Sequence, residues 1–540
     1  MPGSAFPNTN NNYELLIGKQ KATFHINSLR KYNEPQTEQS QETVQVVIPN
    51  ELMTDSLMDG LIDGASGKGG PRDVQTGDQL TNMQKDRIRE LLDRFPDVFT
   101  DKPGKTNLTE HVIKVTDEIP VFQAAYPIPE AMRDKVEVEL QEMLANDIIQ
   151  YDYDTKYSSP VVVIKKPNGN LRLCNNFIEL NKKTINEQYN MTTSRELLSR
   201  VAGAKLISHI DIRSAYFQIK LSKESQKYTG FQTPFGVFSY KMMPMGLKTS
   251  SATCQKLMDR ILRGTHKFAG TLVDDIIVYS AEFNDHLKHV EQILERLRQA
   301  GLTANAQKCW VASNNIKILG HIVRDGNIYP DDDKVKAVKE WAIPKTKRQL
   351  KSFLGLTGYF RDHISHYVAK ALPLTEQLLR SKPEKLKWGP PQQESFDELK
   401  RALISKPVLM AADPNKPFHL YADTSKHTQS AILMQVDDDE TKPNRVISYA
   451  SRKLLPREMN YAIIELEILA IVYGLKHFHQ WVYDREVIIH SDHSPLKFLN
   501  TLTKHSPRLA RWILILQQYK IQMCYVPGNQ QLADHLTRVD

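Results

Sequence analysis

The stretch that decides the fold is Leu272-Val273-Asp274-Asp275-Ile276-Ile277-Val278. An Asp-Asp pair alone says little, because Asp331–Asp333 and Asp437–Asp439 contain one in polar settings that read as solvated turns. Asp274-Asp275 differs in having apolar, β-branched sequence on both sides. That pattern predicts a hairpin whose strands enter a core and whose tight turn carries the acids. Upstream, Leu206-Ile207-Ser208-His209-Ile210 is a second apolar strand, and it ends at Asp211. Carboxylates at the edge of a core need compensating cations, since burying unpaired charge is costly. Two Mg²⁺ ions supply that charge and can clamp the attacking and leaving oxygens of phosphoryl transfer. The bland alternative is a structural turn with an acidic tip.

Around this hairpin lie 540 residues, which at roughly 100–200 residues per domain predicts about three or four domains. Lys+Arg 71 against Asp+Glu 63 leaves +8, a mild excess that permits a polyanionic partner without requiring one. Cys174, Cys254, Cys309 and Cys524 show no C-x-x-C spacing, which excludes a disulfide scaffold and a cysteine-rich zinc finger and fits a reducing compartment. Apolar runs such as Val161–Ile164 fall far short of the ~18 residues a membrane span needs, and no signal sequence opens the chain. An intracellular multidomain protein with no membrane partner is expected.

Residues 1–80 read as mostly disordered: Asn8–Asn12, Glu34–Thr43 and Gly64–Gly70 are too polar to offset ordering entropy. Gly67-Lys68 and Leu61-Ile62-Asp63-Gly64 are decoys for a phosphate loop and an aspartic-protease turn, and neither completes its motif. From Met83 helical spacing begins, with Ile88, Leu91, Leu92 and Phe95 stopping at Pro96. Ala131–Asn146, Ala252–Leu262 and Asp285–Ala300 are further amphipathic helices between strand-like runs, and 331–402 is mainly helical and basic. A second β-then-α region begins at Pro417.

That region holds a second set of acids. Asp423 follows the apolar strand Phe418–Tyr421, and Glu467 is read as opening the helix Ile468–Leu475. Asp492 follows Val487–His490, and Asp534 sits in Gly528-Asn-Gln-Gln-Leu-Ala-Asp-His. Any one of these is more often a surface residue. The order strand acid, helix acid, strand acid, helix acid is what carries information.

Five ordered motifs now give a resemblance. Ser159-Pro-Val-Val-Val-Ile-Lys-Lys-Pro-Asn-Gly, Asp211-Ile-Arg-Ser-Ala-Tyr-Phe-Gln-Ile and Thr233-Pro-Phe-Gly…Met243-Pro-Met-Gly-Leu-Lys are followed by Leu272-Val-Asp-Asp and Leu319-Gly-His. Together they resemble the reverse transcriptase of Ty3/gypsy-type LTR retrotransposon and retroviral pol polyproteins, over about residues 84–540. The four later acids, with Tyr525-Val-Pro-Gly-Asn, resemble ribonuclease H. The resemblance implies an α/β (α+β) multidomain chain, a right-hand polymerase followed by a ribonuclease H-like mixed-sheet domain. Its implied bounds are fingers and palm at 81–325, thumb and connection at 326–405, and ribonuclease H at 406–540.

Carried over residue by residue, the resemblance implies that Asp211 and Asp274 hold metal, with Asp275 supporting them. Asp423, Glu467, Asp492 and Asp534 would hold the metals of the second site, two Mg²⁺ (or Mn²⁺) ions in each site. Arg172 and Lys165 would contact the incoming triphosphate, Tyr216 would lie under its sugar and exclude a 2′-hydroxyl, and Gly246 would sit near the templating pair. Leu319, Gly320 and His321 would grip the primer terminus. The implied partners are an RNA template, a DNA primer, the RNA–DNA hybrid and dNTPs, with a homodimer left open. The implied setting is a cytoplasmic retroelement particle, nuclear entry also left open. Lys165, Lys166, Arg172, Lys182 and Lys183 make the fingers locally basic, as do Lys345, Lys347, Arg348 and Lys351 the thumb, which suits a phosphate backbone. Residues 13–32 faintly resemble an integrase tail, and no integrase is expected after Asp534.

Three departures stand out: Leu272 where the family usually has an aromatic, Asn175-Asn176-Phe177-Ile178 for its usual Val-Asp-Tyr-Arg, and Met245 for Phe. They support a rival reading, a decayed or host-adopted copy that only binds nucleic acid. The presence of all seven acids argues against it.

Overall fold

A computed structural model of the protein describes residues 6–8, 12–17, 20–25, 69–165, 171–379, 381–405, 407–413, 415–436, 445–491 and 507–525. The chain divides into two compact units, Met1–Met53 and Thr54–Asp540. In the first, β1 (Phe6–Asn8), β2 (Asn12–Ile17) and β3 (Gln20–His25) form an antiparallel sheet in that order. This differs from the expected disorder: β2 holds the apolar run Leu15-Leu16-Ile17 beside Tyr13, a strand signal that the flanking asparagines obscured. The remainder of the 13–32 integrase-like stretch, the decoys at 61–68 and Lys166 lie outside the described residues.

In the second unit, β4 (Gln75–Thr76) already belongs to the palm. It pairs in parallel with Trp310 and Val311, and Val74 and Leu80 are buried in the same core. Ordered structure therefore begins before the expected boundary at 80. After α1 (Asn82–Leu92) come α2 (Arg133–Ala145), β5 (Ile149–Tyr151), β6 (Val161–Lys165) and β7 (Leu171–Asn175). The palm then runs α3 (Ser194–Val201), β8 (Leu206–Asp211), α4 (Ser250–Ile261), β11 (Ala269–Leu272), β12 (Asp275–Ser280) and α5 (Phe283–Gln299), with β9 (Phe231–Thr233) and β10 (Gly236–Tyr240) of the fingers inserted between β8 and α4. With β13 (Trp310–Ser313), its sheet has the order β11-β12-β8-β13-β4.

The palm core follows from periodicity. On α5, Leu287, Val290, Ile293, Leu294 and Leu297 recur on one face and are buried against Ile210, Ile276 and Val278 of the sheet. Each such side chain contributes roughly 1.5–3 kcal/mol. The fingers core is separate and joins α2 to β5–β7, β9 and β10 through Leu140, Val161, Leu171, Phe231 and Phe238.

A meander of β14 (Asn315–Ile318), β15 (His321–Arg324) and β16 (Asn327–Pro330) leads into the thumb helices. These are α6 (Asp332–Glu340), α7 (Lys347–Tyr359), α8 (Tyr367–Thr375) and α9 (Pro390–Ile404), packed around Phe353, Leu374, Phe396 and Leu399. The last domain has β17 (Phe418–Thr424), β18 (Thr428–Gln435), β19 (Arg445–Lys453), α10 (Ile463–His477), β20 (Glu486–Ser491), α11 (Pro507–Leu516) and β21 (Lys520–Tyr525). Its sheet is mixed, in the order β19-β18-β17-β20-β21, with β17, β20 and β21 parallel. Helix α10 lies so close to it that a Cβ at Gly474 would meet Leu420 at 3.0 Å and Ala431 at 3.1 Å. Among the described residues no helix is long and apolar enough to cross a membrane.

Candidate active sites

Two strands and a turn assemble the first site. In the antiparallel pair β8–β12, Asp211 lies directly opposite Asp275. Leu272 pairs with Asp275 in β11–β12, which leaves Val273 and Asp274 as a two-residue loop. Val273 has φ 57°, a conformation that suits glycine and strains a β-branched residue by about 1–3 kcal/mol. Helix α4 holds it there: the Val273 N–H donates to Gln255 Oε1 at 2.8 Å, and the Gln255 amide donates to Asp259 at 2.9 Å. The Ile212 N–H donates to the Asp274 carbonyl at 3.2 Å, so the turn is tied to the end of β8 as well.

Burial pushes the Asp211 carboxyl up to about 6, and the nearby Asp275 charge adds to this while Lys308, His209 and Arg213 oppose it. Burial also raises Asp274, reinforced by the charges of Asp275 and Asp211. His209 Nε2 lies 2.7 Å from Asp275 Oδ1. Burial works against a charged His209 ring, but Asp275, Asp211 and Asp274 outweigh it and the net shift is upward. Among the described residues no three His, Cys, Asp or Glu side chains converge as a ready-made metal cage. Two desolvated carboxylates whose pKa values stay raised despite Lys308 nearby are nevertheless the donor set a hard divalent cation suits.

The nucleotide-side residues separate. Lys165 pairs with Leu171, and Ile164 with Arg172, so strand alternation turns Lys165 and Arg172 to opposite faces of the β6–β7 ribbon. The Arg172 guanidinium reaches Met245 Sδ at 2.8 Å, beside Gly246. Lys165 is exposed, on the other face of the ribbon. At Gly246, φ is 88° while an added Cβ would meet Asn175 O at only 3.4 Å. Backbone conformation, rather than a collision within the protein, calls for glycine here. Asn181 fixes this loop, donating to the Gly246 carbonyl and accepting from the Lys248 N–H, both at 2.8 Å. Tyr216 is partly buried against the palm core, its hydroxyl 3.1 Å from Ser251 Oγ, and burial raises its pKa.

Leu319 (φ 48°) and Gly320 (φ 66°) form a two-residue turn between β14 and β15. The Tyr359 hydroxyl donates to the Leu319 carbonyl at 2.6 Å, which ties the turn to the thumb. The His321 ring points inward, 6% exposed and packed on Phe360 and His363, so of the three expected grip residues only Leu319 and Gly320 keep accessible surface. Several expected backbone-binding cations are also engaged: Lys182 with Glu179, Lys183 with Asp117, and Lys347 with the carbonyls of Leu379 and Lys382. Lys345, Arg348 and Lys351 remain exposed.

In the second site, Asp423 lies on β17 and the Thr424 hydroxyl donates to the Leu466 carbonyl at 3.2 Å. That bond sets the strand bearing Asp423 beside the helix bearing Glu467. Helix α10 starts at Ile463 rather than after Glu467, because Glu465 accepts from the Ala462 N–H at 3.2 Å and caps it earlier. Glu467 is therefore its fifth residue. His366, from the thumb, places Nε2 3.5 Å from Asp423 Oδ2 and holds that carboxyl below its usual range against burial. Asp492 and Asp534 lie outside the described residues.

Sequence reasoning did not single out Gln255, Asn181, His209, Lys308 or His366. The acids and the glycine loop they brace were visible, but no spacing rule marks the side chains that tertiary packing brings to them.

Comparisons agree with this layout. The reverse transcriptase (RNA-dependent DNA polymerase) family matches residues 164–323, and the RNase H-like domain found in reverse transcriptase matches residues 413–519. The Retrovirus-related Pol polyprotein from transposon 297 of Drosophila melanogaster is 32% identical over 475 residues, 86% of this chain and 44% of that protein. That from transposon gypsy, also of Drosophila melanogaster, is 31% identical over 485 residues, 86% of this chain and 46% of the relative. The chain thus spans less than half the length of these curated relatives. Foamy viral protease-reverse transcriptase, solved in complex with RNA/DNA hybrid, shares the fold with TM-score 0.70 and 19% identity over 84% of this chain and 62% of that one. Reverse transcriptase and RNase H domains depend in general on divalent metal ions.

Proposed function

We propose that this chain, which carries the reverse transcriptase and RNase H-like domains of the retrotransposon Pol polyproteins, copies RNA into DNA and degrades the RNA of the resulting hybrid. The observation that carries the reading is the pairing of Asp211 with Asp275 at a strained turn that presents Asp274. Asp211 and Asp274 would hold two divalent ions, Mg²⁺ or Mn²⁺, with Asp423 and Glu467 contributing to a like set in the second domain. When bound, such ions lower the barrier by polarising phosphoryl oxygens and activating the attacking oxygen.

The chain's own groups do the rest. Gln255 and the β8–β12 register fix where the carboxylates stand, so no reorganisation is needed at the moment of reaction. His209 occupies one oxygen of Asp275, leaving Asp211 and Asp274 as the acids facing the reaction. Arg172 and the Asn181-braced loop at Gly246 form the surface on which a dNTP would lie, and Tyr216 would meet its sugar. Exposed Arg348 and Lys351 on the thumb suit the backbone of a template–primer duplex. Recognition through backbone and A-like shape, rather than base edges, implies low template specificity. An intracellular particle remains the proposed setting, with a homodimer compatible.

Two of the three departures have local structural roles. Asn176 Oδ1 accepts from the Ile178 N–H at 3.2 Å and starts a short helix, and Met245 receives Arg172. The test is one assay: purified chain, primed RNA template, dNTPs and Mg²⁺, with extension and RNA cleavage scored together. Both activities are expected. Duplex binding without either activity would favour the decayed, binding-only protein.

A further inference from the structure

One guanidinium joins three domains. Arg195, on α3 of the palm, donates from Nε to Asp362 Oδ2 at 2.6 Å and from Nη2 to Asp362 Oδ1. Asp362 lies in the short turn Arg361–His363 that follows the thumb helix α7. The third arm, Nη1, reaches Nε2 of His477 at 2.6 Å, and His477 is the last residue of α10 in the RNase H-like domain. Burial and the Arg195 charge push the His477 ring down to about 3, so it is neutral and its Nε2 accepts. Both charged side chains are mostly withdrawn from solvent, at 29% and 23% exposure.

Neighbouring contacts run the same way. Arg361 donates to the Ser451 carbonyl, the Val368 N–H donates to Ser451 Oγ at 3.1 Å, and the Met410 N–H donates to the Val446 carbonyl at 2.8 Å. An apolar seam of palm, meander and RNase H residues lies beneath, including Leu198, Ile328, Leu409 and Tyr449. Apolar contact tolerates sliding. A planar fork spread over three partners does not, since it fixes orientation as well as distance.

We propose that Arg195 is a positioning residue that, by clasping Asp362 and His477, fixes the length of duplex between the end being extended and the point where RNA is cut. The inference rests on the function proposed above. A duplex spanning both sites measures the distance between them. A rigid junction gives one preferred spacing, and a loose one gives a spread. Pulling palm from thumb would leave a mostly buried carboxylate and guanidinium without each other, and pulling the RNase H-like domain away would strip the guanidinium of its His477 arm.

The test uses the full chain on a hybrid whose primer end is held in place by withholding the next dNTP, with RNA cuts mapped relative to that end. The wild-type protein should cut at one narrow preferred position. Arg195→Lys keeps the charge but loses the fork, and His477→Ala removes only the RNase H arm. In each, the share of cuts at the preferred position should fall at least about threefold, while primer extension stays within about twofold of wild type and certifies the fold. A wild-type cut pattern in both variants, or no preferred position in the wild type, overturns the inference. Absence of extension and cleavage in the wild type is a different result, and it removes the proposed function itself.

Discussion

Asp211 and Asp275 face each other as register partners across two antiparallel strands, and His209 holds one oxygen of Asp275 at 2.7 Å. The strand ladder therefore brings acids from distant parts of the sequence to one point, and the strained Val273 turn adds Asp274 to them. The two domains carry separate acid sets, so their chemistries should be separable.

Asp274→Asn should lower primer extension by at least about 10³-fold, since several kcal/mol of charge stabilisation would be lost. Hybrid cleavage should stay within about twofold of wild type. Glu467→Gln should show the converse. Primer extension and RNA cleavage on one labelled hybrid decide it, and extension at the wild-type rate in Asp274→Asn would remove that residue from the site.

Asp211 predicts a link between metal, pH and stability. Its carboxyl is raised to about 6 when folded, so the metal-free folded chain binds that proton more tightly than the unfolded chain does. Ionising it costs stability that grows as pH rises from about 4 to about 6 and is complete above that, on the order of 2–3 kcal/mol. Asp211→Asn should thus melt higher than wild type at pH 7 without divalent ions, while losing extension. Mg²⁺ should raise the wild-type melting temperature more than that of the variant. Equal responses to Mg²⁺ would count against Asp211 as a ligand.

Tyr216 has two jobs to tell apart. Tyr216→Phe removes only the hydroxyl bonded to Ser251 and should keep discrimination against ribonucleotides. Tyr216→Val should admit them, at a packing cost of about 1–3 kcal/mol. Incorporation ratios for rNTP against dNTP, read beside thermal melts, check both. Unchanged discrimination in Tyr216→Val would leave the ring a core residue.

Gly246→Ala tests conformation against collision. With φ 88° and only ordinary contacts, Asn175 O at 3.4 Å being the nearest, the variant should fold at a cost of about 1–2 kcal/mol. The main kinetic effect should be a raised KM for dNTP, because the loop beside Arg172 shifts. Steady-state extension at varied dNTP, with denaturant melts, reads it. A stability loss far above that range would point to a hidden steric clash.

Much was legible in the order of residues. Apolar runs ending in Asp211 and flanking Asp274-Asp275 announce strands, because a β-branched run beside an acid has few other homes. The amphipathic spacing of α5 likewise reads directly as a helix on a sheet. Less was legible where a residue's meaning depends on which face it takes. Lys165 and Arg172 were both expected at the triphosphate, and only the β6–β7 register shows that they leave opposite faces of the ribbon. His321 looked like a grip residue until its ring packed inward, and Lys182, Lys183 and Lys347 looked free until they found partners.

The sequence by itself determined the domain order, the strand and helix character of the segments bearing Asp211, Asp274, Asp423 and Glu467, and the phosphoryl-transfer chemistry such acids suit. These depend on local pattern and composition, which the chain carries in linear form. Only the tertiary structure decided that Gln255 and His209 brace the acids, that His366 of the thumb reaches Asp423, and that Arg195 ties three domains together. Such contacts join residues up to 282 positions apart. They are set by packing of surfaces, and no spacing along the chain encodes them.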